Sequence, residues 1–485
     1  MLVELRDLGV DRIRLSVIWK NLAPARASSV KPDFDGADPA AYPAQEFDNL
    51  DHAIRFARRM GIEVLLNVRG GAPAWAMPPA PRKLAGRDGY LPSPAEYHRY
   101  VAMLGRRYDG TYRDENQGRA PLPRVGAWSV WNEPNWGGHL QPQTIRDART
   151  RRLEPVSPRH YRKLHRSAVT ALRATGHGDD VILIGETAPV GNTKAGELSH
   201  IKPIAFLREL FCLDGRLQPL SPRRAARARC DFGKLGPLHA TGYAHHPYSV
   251  VSPPGIPSAD SEFATIAEGH RLAAVLDAAA AAGRIPAGLP LWYTEFGYQT
   301  APPDPFRGVT LDQQSQWLVE AEQLTAADPR VAALTQFLLR DDELRIAFGD
   351  HDARRFATYQ TGLRFEDGAF KPAYGAYRLP LRAVPGNAPG APVTLWGMVR
   401  PGRNGVTQRI RIEFRPAEGG DWRTLGERDV TNPRGYFTEE VTPPGPGSYR
   451  FEWLRPGAPP PFGGSGPTRA EVQGLPSAEA AVGVG

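Results

Sequence analysis

Two glutamates stand directly after strand-like apolar runs and have aromatic neighbours. Glu133 lies in WNEPNW (131–136), and Glu295 lies in YTEFG (293–297). Two carboxylates that face each other can cleave a glycosidic bond. One, kept protonated by its surroundings, gives a proton to the leaving oxygen, and the other attacks the anomeric carbon. The two segments therefore predict acid and nucleophile chemistry on a sugar.

Polar side chains in or after the other strand-like runs suit the same chemistry. Arg14 would keep a nearby carboxylate ionised, although a structural ion pair is the alternative. Asn132, beside the predicted acid, can hold a sugar hydroxyl through a hydrogen bond that strengthens in the transition state. His245 and His246 are adjacent, so in a strand they point to opposite sides. We expect His246 to face the site together with Tyr248.

A few further side chains at strand ends allow two interpretations. Trp75 and Trp136 offer apolar faces for stacking on sugar rings, or they pack under loops; both are taken as candidate substrate-binding residues. Glu186 follows an apolar run but lacks aromatic neighbours, so it is interpreted as a loop or ion-pair residue. The charged run 340–342 is interpreted as a solvated cluster.

The elements that must position these residues alternate between strand-like and helical patterns up to about residue 380. The strand-like runs lie at 12–19, 63–68, 125–131, 181–184, 240–244, 289–293 and 331–339. Such alternation is typical of parallel α/β folds. A doubly wound sheet is possible, but we favour a (β/α)8 (TIM) barrel, because it needs only one more strand and the chain opens with a helical pattern. On this interpretation the first strand is missing and the native gene product starts upstream.

A change of pattern divides the chain into segments. They are the barrel at 1–383, a linker at 384–391, a small all-β immunoglobulin-like sandwich at 392–455 and a disordered tail at 456–485. Alternating apolar and charged residues between Gly, Pro and Asn turns predict the sandwich, and the Pro-, Gly-, Ser- and Ala-rich composition predicts the tail. Trp396, Trp422 and Trp453 could form a glycan-binding face, but we favour a core position in a module that braces the barrel.

Composition argues against several classes of function. The 485 residues carry 60 basic and 52 acidic side chains, a net charge of only +8, and the basic residues form no stripe that would indicate a nucleic-acid partner. No apolar run is long enough to predict a membrane span, and no signal peptide is visible. No Cys/His cluster indicates zinc, and nothing demands a metal or organic cofactor. Oligomeric state stays open.

The two cysteines bear on the compartment. Cys212 and Cys230 stand in a loop-like stretch, where a pair suits a disulfide in an exported protein. Two free thiols in a cytoplasmic protein are the alternative. We expect a secreted protein whose signal peptide lies upstream and whose cysteines are bridged.

The motifs resemble those of a known group. WNEPN at 131–135 and YTEFG at 293–297 look like the two signature segments of clan A glycoside hydrolases. LGVDRIRLSVIW at 8–19 and HHPY at 245–248 are similar to two further segments of that clan. The resemblance covers about residues 1–380 and looks closest to cellulase-like and family 39-like members.

This resemblance implies a retaining hydrolase that acts on an oligo- or polysaccharide through a glycosyl-enzyme intermediate. It makes Glu133 the acid/base, Glu295 the nucleophile and Asn132 the partner of the sugar 2-hydroxyl. The resemblance also makes Arg14 and Tyr248 supports of the nucleophile. It makes His246 a residue that lines the site. A glycan-binding barrel without catalysis and a transglycosylase using the same carboxylates are the alternatives. The sugar, the linkage and endo or exo cleavage stay open.

Overall fold

The computed structural model describes residues 1–115, 120–148, 151–386, 391–402, 404–442, 445–454 and 469–473. Its largest element is a parallel sheet of seven strands that are neighbours in chain order. These strands are β1 (Arg12–Ile18), β2 (Glu63–Arg69), β3 (Ala127–Val130), β4 (Val181–Thr187), β5 (Gly242–His245), β6 (Leu291–Phe296) and β7 (Val331–Gln336). A short hairpin of two strands, Thr144–Arg146 and Leu153–Pro155, lies in the connection after β3.

Contacts across the sheet show that it curls. Arg14 of β1 lies 3.0 Å from Glu295 of β6, although five strand spacings of roughly 4.8 Å would separate these strands in a flat sheet. Arg12 likewise lies over the ring of Trp292. Within the described residues, β1 and β7 form the two edges and do not pair with each other. The predicted fold class is confirmed as a TIM-like barrel, here with seven strands and open between β1 and β7.

Side chains that point into the barrel form layers. The lower layer is apolar and consists of Leu65, Ala127, Leu183, Ala244 and Trp292. Residues two positions apart in a strand face the same side, so Asn67 and Ser129 lie above Leu65 and Ala127. The Asn67 amide donates to the Ser129 hydroxyl at 3.0 Å. The apolar layer is thus the floor beneath a polar site.

Helices connect the strands and begin where the sequence supplies caps. Ser93 accepts a hydrogen bond from the Glu96 amide, and Thr310 forms a capping box with Gln313. The helices are α1 (Leu2–Asp7), α2 (Trp19–Leu22), α3 (Asp48–Arg59), α4 (Pro94–Arg107), α5 (Ser157–Ala174), α6 (Pro203–Phe211), α7 (Pro222–Arg227), α8 (Phe232–Leu235), α9 (Gly269–Ala281), α10 (Leu311–Ala327) and α11 (Pro372–Arg378). In the described part of the chain, none of them has the length and apolar character to cross a membrane.

The C-terminal residues form two small antiparallel sheets around one core. Their strands are β8 (Leu381–Val384), β9 (Val393–Met398), β10 (Gln408–Pro416), β11 (Arg423–Val430), β12 (Tyr436–Val441), β13 (Gly447–Leu454) and β14 (Arg469–Gln473). One sheet has the order β8-β9-β12, and the other has the order β11-β10-β13-β14. Inward side chains from both sheets meet, as where Phe437 and Phe451 lie 5.1 Å apart. We call residues 379–454 with β14 the β module.

The module departs from the predicted boundaries at both ends. The module begins before the predicted linker, because Leu379 and Leu381 already belong to the module core. β8 therefore covers the end of the predicted barrel and the first residue of the predicted linker. Residues 387–390 of the linker lie outside the described residues. Within the predicted disordered tail, β14 pairs with β13, so the prediction of disorder is wrong there; the rest of 456–485 lies outside the described residues.

The β module packs against the barrel through α10 and α11. Glu322 of α10 accepts hydrogen bonds from Arg400 at 2.8 Å and from the Tyr436 hydroxyl at 3.1 Å. Trp396 and Trp453 are 6 % and 8 % exposed, so they are buried as expected, whereas Trp422 is half-buried with Arg415 and Arg450 over its ring and is not a core residue. The contacts of the described residues favour the predicted bracing role.

Cys212 and Cys230 form a disulfide that closes a loop containing α7. The buried guanidinium of Arg162 fastens this loop to α5. It donates to the backbone carbonyls of Glu209, Leu210 and Arg229 at 2.9–3.1 Å. The predicted pairing is therefore present, and the loop lies against the helical layer outside the barrel.

Candidate active site

The C-terminal ends of the strands bring the two predicted glutamates together. Glu133 follows β3 and Glu295 lies in β6. His246 Nδ1 lies 2.9 Å from Glu133 Oε1 and 3.6 Å from Glu295 Oε2. A carboxylate oxygen of each glutamate and a nitrogen of His246 all lie within 4.8 Å of one another. The two acids thus meet around one imidazole.

The turn after β3 aims Glu133 into the barrel. Trp131 and Glu133 have φ angles of 69° and 42°. These lie in the left-handed region, which residues other than glycine rarely adopt. The Glu133 amide donates to the backbone carbonyl of Glu186 on the neighbouring strand at 2.8 Å. This strained turn fixes the carboxylate at the mouth, where 16 % of the side chain is exposed.

Glu133 lies between two histidines. His246 contacts one of its oxygens, and His139 lies 3.3 Å from the other. Burial alone would raise the pKa of Glu133, but the hydrogen bonds with His139 and His246 outweigh burial and hold that pKa well below its usual range. This differs from the expectation of an acid kept protonated by its surroundings. The sequence interpretation did not include His139, which stands six residues after Glu133.

His246 is fully buried and faces three carboxylates. Burial opposes the charged imidazole, but Glu295, Glu133 and Glu186 outweigh burial and raise the pKa of His246 above its usual value. His245 points the other way, where its Nε2 contacts the Ala264 carbonyl at 2.7 Å. The alternation expected for adjacent strand residues is therefore observed.

Glu295 is held by a cation and a hydroxyl. Arg14 Nη1 lies 3.0 Å from Glu295 Oε1, and the Tyr248 hydroxyl donates to Glu295 Oε2 at 3.1 Å. Arg14 Nη2 also donates to Asn132 Oδ1 at 2.7 Å, which turns Asn132 Nδ2 towards His139. Five of the predicted residues thus join Glu133 in one network of contacts.

A third glutamate, which the sequence interpretation placed outside the site, lies at its centre. Glu186 is fully buried and forms the expected ion pair, but its partner is Arg14 at 2.7 Å. A register shift between Gly185 and Thr187 marks a bulge in β4. If side chains along β4 alternated strictly, Glu186 would point out of the barrel. The bulge instead turns its side chain into the barrel.

An aromatic side chain from the segment between β7 and α11 also reaches the site. Tyr359 is 52 % exposed and packs edge-on against Phe337, 5.2 Å between centroids. Phe337 packs in turn against Tyr248, 6.5 Å between centroids, and the Tyr248 hydroxyl bonds to Glu295, so Tyr359 lies on the Glu295 side of the site. Burial, then Glu133 and Glu295, raise the pKa of Tyr359 to about 12. The segment lacks a periodic pattern, so no sequence signal singles out this tyrosine.

That segment is fastened by a buried ion pair. Lys371 Nζ lies 2.8 Å from Asp341 and donates to the Gln360 carbonyl at 3.1 Å. Both charged side chains are almost fully buried. The interpretation of 340–342 as a solvated cluster is wrong for Asp341, because its partner lies about 30 residues further along the chain.

The two candidate tryptophans differ in exposure. Trp75 is 9 % exposed and packs edge-on against Trp19 and Phe34, with its indole N–H bonded to the Pro24 carbonyl. Of the two interpretations of Trp75, the structure favours packing under a loop, because little of its ring is exposed. Trp136 is half-buried beside His200 and stays a candidate.

Among the described residues, Glu133, His246 and Glu295 are the one group dense enough to hold a metal ion. Arg14 touches Glu295 at 3.0 Å and already supplies a positive charge there. His246 would have to give up its proton to bind a metal, whereas the three carboxylates around it raise its pKa, so the donor set fits proton transfer better than metal binding.

Comparisons with known proteins find resemblance in solved structures. No family model matches the chain, and no curated protein matches its sequence. Solved structures of similar shape include GH5_18 from Bifidobacterium longum subsp. infantis, at 15% identity and TM-score 0.43, covering 78% of this chain and 71% of that one. GH5_18 from Streptomyces cattleya, in complex with GlcNAc, has 17% identity and TM-score 0.44, covering 78% and 72%.

A third similar structure is a GH128 endo-beta-1,3-glucanase from Amycolatopsis mediterranei in complex with laminaritriose. It has 14% identity and TM-score 0.33, covering 78% of this chain and 93% of that one. At identities and TM-scores this low, the geometry of the carboxylates remains the basis for assigning a function.

Proposed function

We propose that the protein is a glycoside hydrolase that cleaves O-glycosidic bonds of an oligo- or polysaccharide with retention of configuration. The observation that carries this proposal is the placement of Glu133 and Glu295 around one imidazole, with carboxylate oxygens within 4.8 Å. Retaining enzymes keep their two carboxyl groups about 5–5.5 Å apart, whereas inverting enzymes need about 6.5–9.5 Å to admit a water. The spacing supports double displacement.

In the first step Glu295 attacks the anomeric carbon, and the bond to the leaving oxygen breaks. Arg14 and the Tyr248 hydroxyl hold the Glu295 carboxylate in position for this attack. The leaving oxygen takes a proton from Glu133. In the second step Glu133 removes a proton from water, which attacks the glycosyl ester and releases Glu295.

The proton that Glu133 donates is supplied by its histidine neighbour. With its pKa lowered, Glu133 is a carboxylate before the sugar binds, while His246 Nδ1 holds a proton 2.9 Å away. The proton moves from Nδ1 to the carboxylate as the sugar displaces water and negative charge develops on the leaving oxygen. His246 is thus the reservoir, and Glu133 is the group that touches the substrate.

Substrate contacts fall to side chains around this pair. Asn132 Oδ1 already accepts a hydrogen bond from Arg14, so Asn132 Nδ2 is the atom that binds the sugar 2-hydroxyl. In doing so Nδ2 gives up its contact with His139. Trp136 and Tyr359 offer ring faces for stacking on sugars. Both rings stand on loops, where the choice of glycan is made.

Hydrolysis of aryl glycosides with different sugars tests this function. Glu295→Gln removes the nucleophile and should lower kcat by about 10⁴-fold or more. Glu133→Gln removes the acid and should lower kcat by about 10²–10⁴-fold on poor leaving groups. The loss should be smaller on nitrophenyl leaving groups, which need little protonation. The first sugar released should keep its anomeric configuration by NMR.

Glu366→Gln is the matched control, because Glu366 is an exposed glutamate on a turn distant in sequence from every strand end. Its kcat should equal that of the wild type. Full activity of Glu295→Gln, or an inverted product, would refute the proposal. Product analysis with added acceptor sugars separates hydrolysis from transglycosylation.

A further inference from the structure

The Glu186 carboxylate has more partners than a structural ion pair requires. Its Oε1 accepts from Arg14 Nε at 2.9 Å and from the Ser129 hydroxyl at 2.7 Å. Its Oε2 accepts from Arg14 Nη2 and from the Asn67 amide, both at 2.7 Å. Strands β1, β2 and β3 therefore all supply a donor to this one side chain.

The backbone is strained to bring this carboxylate inwards. Glu186 has a φ of 49°, and Gly185 before it has a φ of 115°. A Cβ at Gly185 would lie 2.5 Å from the carbonyl of Ala244, so only glycine fits there. Strain of this kind persists where the surrounding structure over-determines it, often at functional sites.

Arg14 is shared between two carboxylates. One edge of its guanidinium pairs with Glu186, while Nη1 lies 3.0 Å from Glu295. The titratable groups that face Glu186 are Arg14, His246, Tyr97 and Tyr161, from β1, the turn after β5, α4 and α5. Burial keeps both tyrosines neutral by raising their pKa. The positive charge of Arg14 is thus shared between Glu186, which is buried below the site, and Glu295, the proposed nucleophile.

We propose that Glu186 is a positioning residue that holds Arg14 in a fixed orientation and neutralises most of its charge, so that Glu295 stays reactive as a nucleophile. This inference rests on the proposed function for Glu295. A full positive charge on Arg14 would bind the Glu295 carboxylate tightly and weaken its attack on carbon. Glu186 also lies 4.0 Å from His246 Nε2, a buried nitrogen without a hydrogen-bond partner among the described residues, and so favours the protonated imidazole.

Glu186→Gln tests the proposal, because it keeps the shape and removes the charge. Arg14 would then pair with Glu295 alone, and the nucleophile would become less basic. We expect kcat/KM on an aryl glycoside to fall at least tenfold and the acid limb of its pH profile to move to lower pH. Glu186→Asp keeps the charge and should leave the acid limb near its wild-type position, although kcat falls.

A second readout needs no substrate. Burial would raise the pKa of Glu186, but Arg14 outweighs burial and lowers it. A carboxylate with a lowered folded-state pKa stabilises the protein above its unfolded pKa of about 4.3, and this stability is lost as pH falls through the folded value. The stability difference between wild type and Glu186→Gln should be largest at pH 7 and shrink as pH falls below about 4.

Glu268→Gln is the control, because Glu268 is equally buried but caps the segment before α9. It should change stability and leave the acid limb in place. An unchanged acid limb in folded Glu186→Gln, or an equal shift in Glu186→Asp, overturns the proposal. If the wild type hydrolyses no glycoside, the proposed function fails, and the stability readout still decides whether Glu186 is a charged partner of Arg14.

Discussion

Arg14 and His246 each contact more than one carboxylate, and this sharing determines how the site responds to substitution. Glu295 takes one contact from Arg14 and another from Tyr248. Glu133 takes its contacts from two histidines. Groups that share partners do not contribute additively. Single substitutions here should therefore shift the pH profile as well as the rate.

Removal of the Tyr248 hydroxyl should move the acid limb of the pH profile in the opposite direction to Glu186→Gln. Tyr248→Phe takes away a hydrogen bond to the charged form of Glu295, so the carboxylate becomes easier to protonate. We expect kcat/KM to fall about tenfold to a hundredfold, as for a lost hydrogen bond to a charged group. The acid limb of the pH profile should move to higher pH.

Tyr298→Phe is the matched control. Tyr298 is a buried tyrosine two residues after β6, and its hydroxyl donates to the Ser252 carbonyl. The Tyr298→Phe enzyme should keep the acid limb of its pH profile at the wild-type position. A Tyr248→Phe enzyme with an acid limb at or below the wild-type pH would contradict the role given to this hydroxyl.

Residues whose place follows from strand ends could be predicted, and residues moved by local irregularity could not. Glu133, Glu295 and His246 lie in or beside strands whose hydrophobic period is visible in the sequence, and all three meet at the same end of the barrel. Glu186 faces inwards only because β4 bulges at Gly185. Tyr359 stands on an aperiodic segment, and its position depends on contacts between residues distant in sequence.

At the scale of elements, the strands that hold the carboxylates could be predicted, whereas two short strands of the β module could not. The same periodicity that located seven strands missed β8 and β14. β8 follows directly on the barrel without a polar linker before it, and β14 stands in a stretch whose composition resembles disorder. Short edge strands gain their stability from a neighbouring sheet rather than from their own sequence.

The loop closed by Cys212 and Cys230 gives a test at this scale and bears on our proposal that the protein is exported. Denatured, unreduced protein should show no titratable thiol. The double variant Cys212→Ser/Cys230→Ser should lose about 3 kcal/mol in free energy of unfolding, because the unfolded loop of 18 residues is then unrestrained. Urea unfolding with and without reductant measures this loss.

Reductant should destabilise the wild type and leave the double variant unchanged, which serves as its own control. Two free thiols in protein purified without reductant would contradict both the bridge and the export proposal. Arg162 holds the Arg229 carbonyl of this loop and the Glu209 carbonyl of α6, so the loop with α7 should become accessible to protease when the bridge is broken.

At the scale of the whole molecule, the β module and the barrel share a buried polar contact. Glu322 of the barrel receives Arg400 and Tyr436 of the module, and Arg400 Nε also donates to the Tyr377 carbonyl at 2.7 Å. Arg400 and Glu322 are about 10 % exposed. Because the contact is buried and joins both parts, we expect barrel and module to unfold in one transition.

Arg400→Ala should break that coupling. It leaves Glu322 buried without its cation, and breaking a buried pair costs about 3–5 kcal/mol. Thermal unfolding of the full chain should show a lower Tm and separate into two transitions. Arg409→Ala, which removes an exposed pair with Glu427 inside the module, should change stability by less than about 1 kcal/mol. A single transition at the wild-type Tm in Arg400→Ala would argue against bracing.

The segment between β7 and α11 separates two properties that evolution can then change independently. Its base is locked by the buried pair of Lys371 and Asp341, with Lys371 also bonded to the Gln360 carbonyl, while the neighbouring side chain of Tyr359 is half-exposed. Substitution of this exposed side chain leaves both members of the buried pair in place. A lineage can therefore acquire new sugars by mutation at position 359 without losing bond cleavage, and a library that randomises this position and keeps Asp341 and Lys371 should retain folded, catalytically competent members.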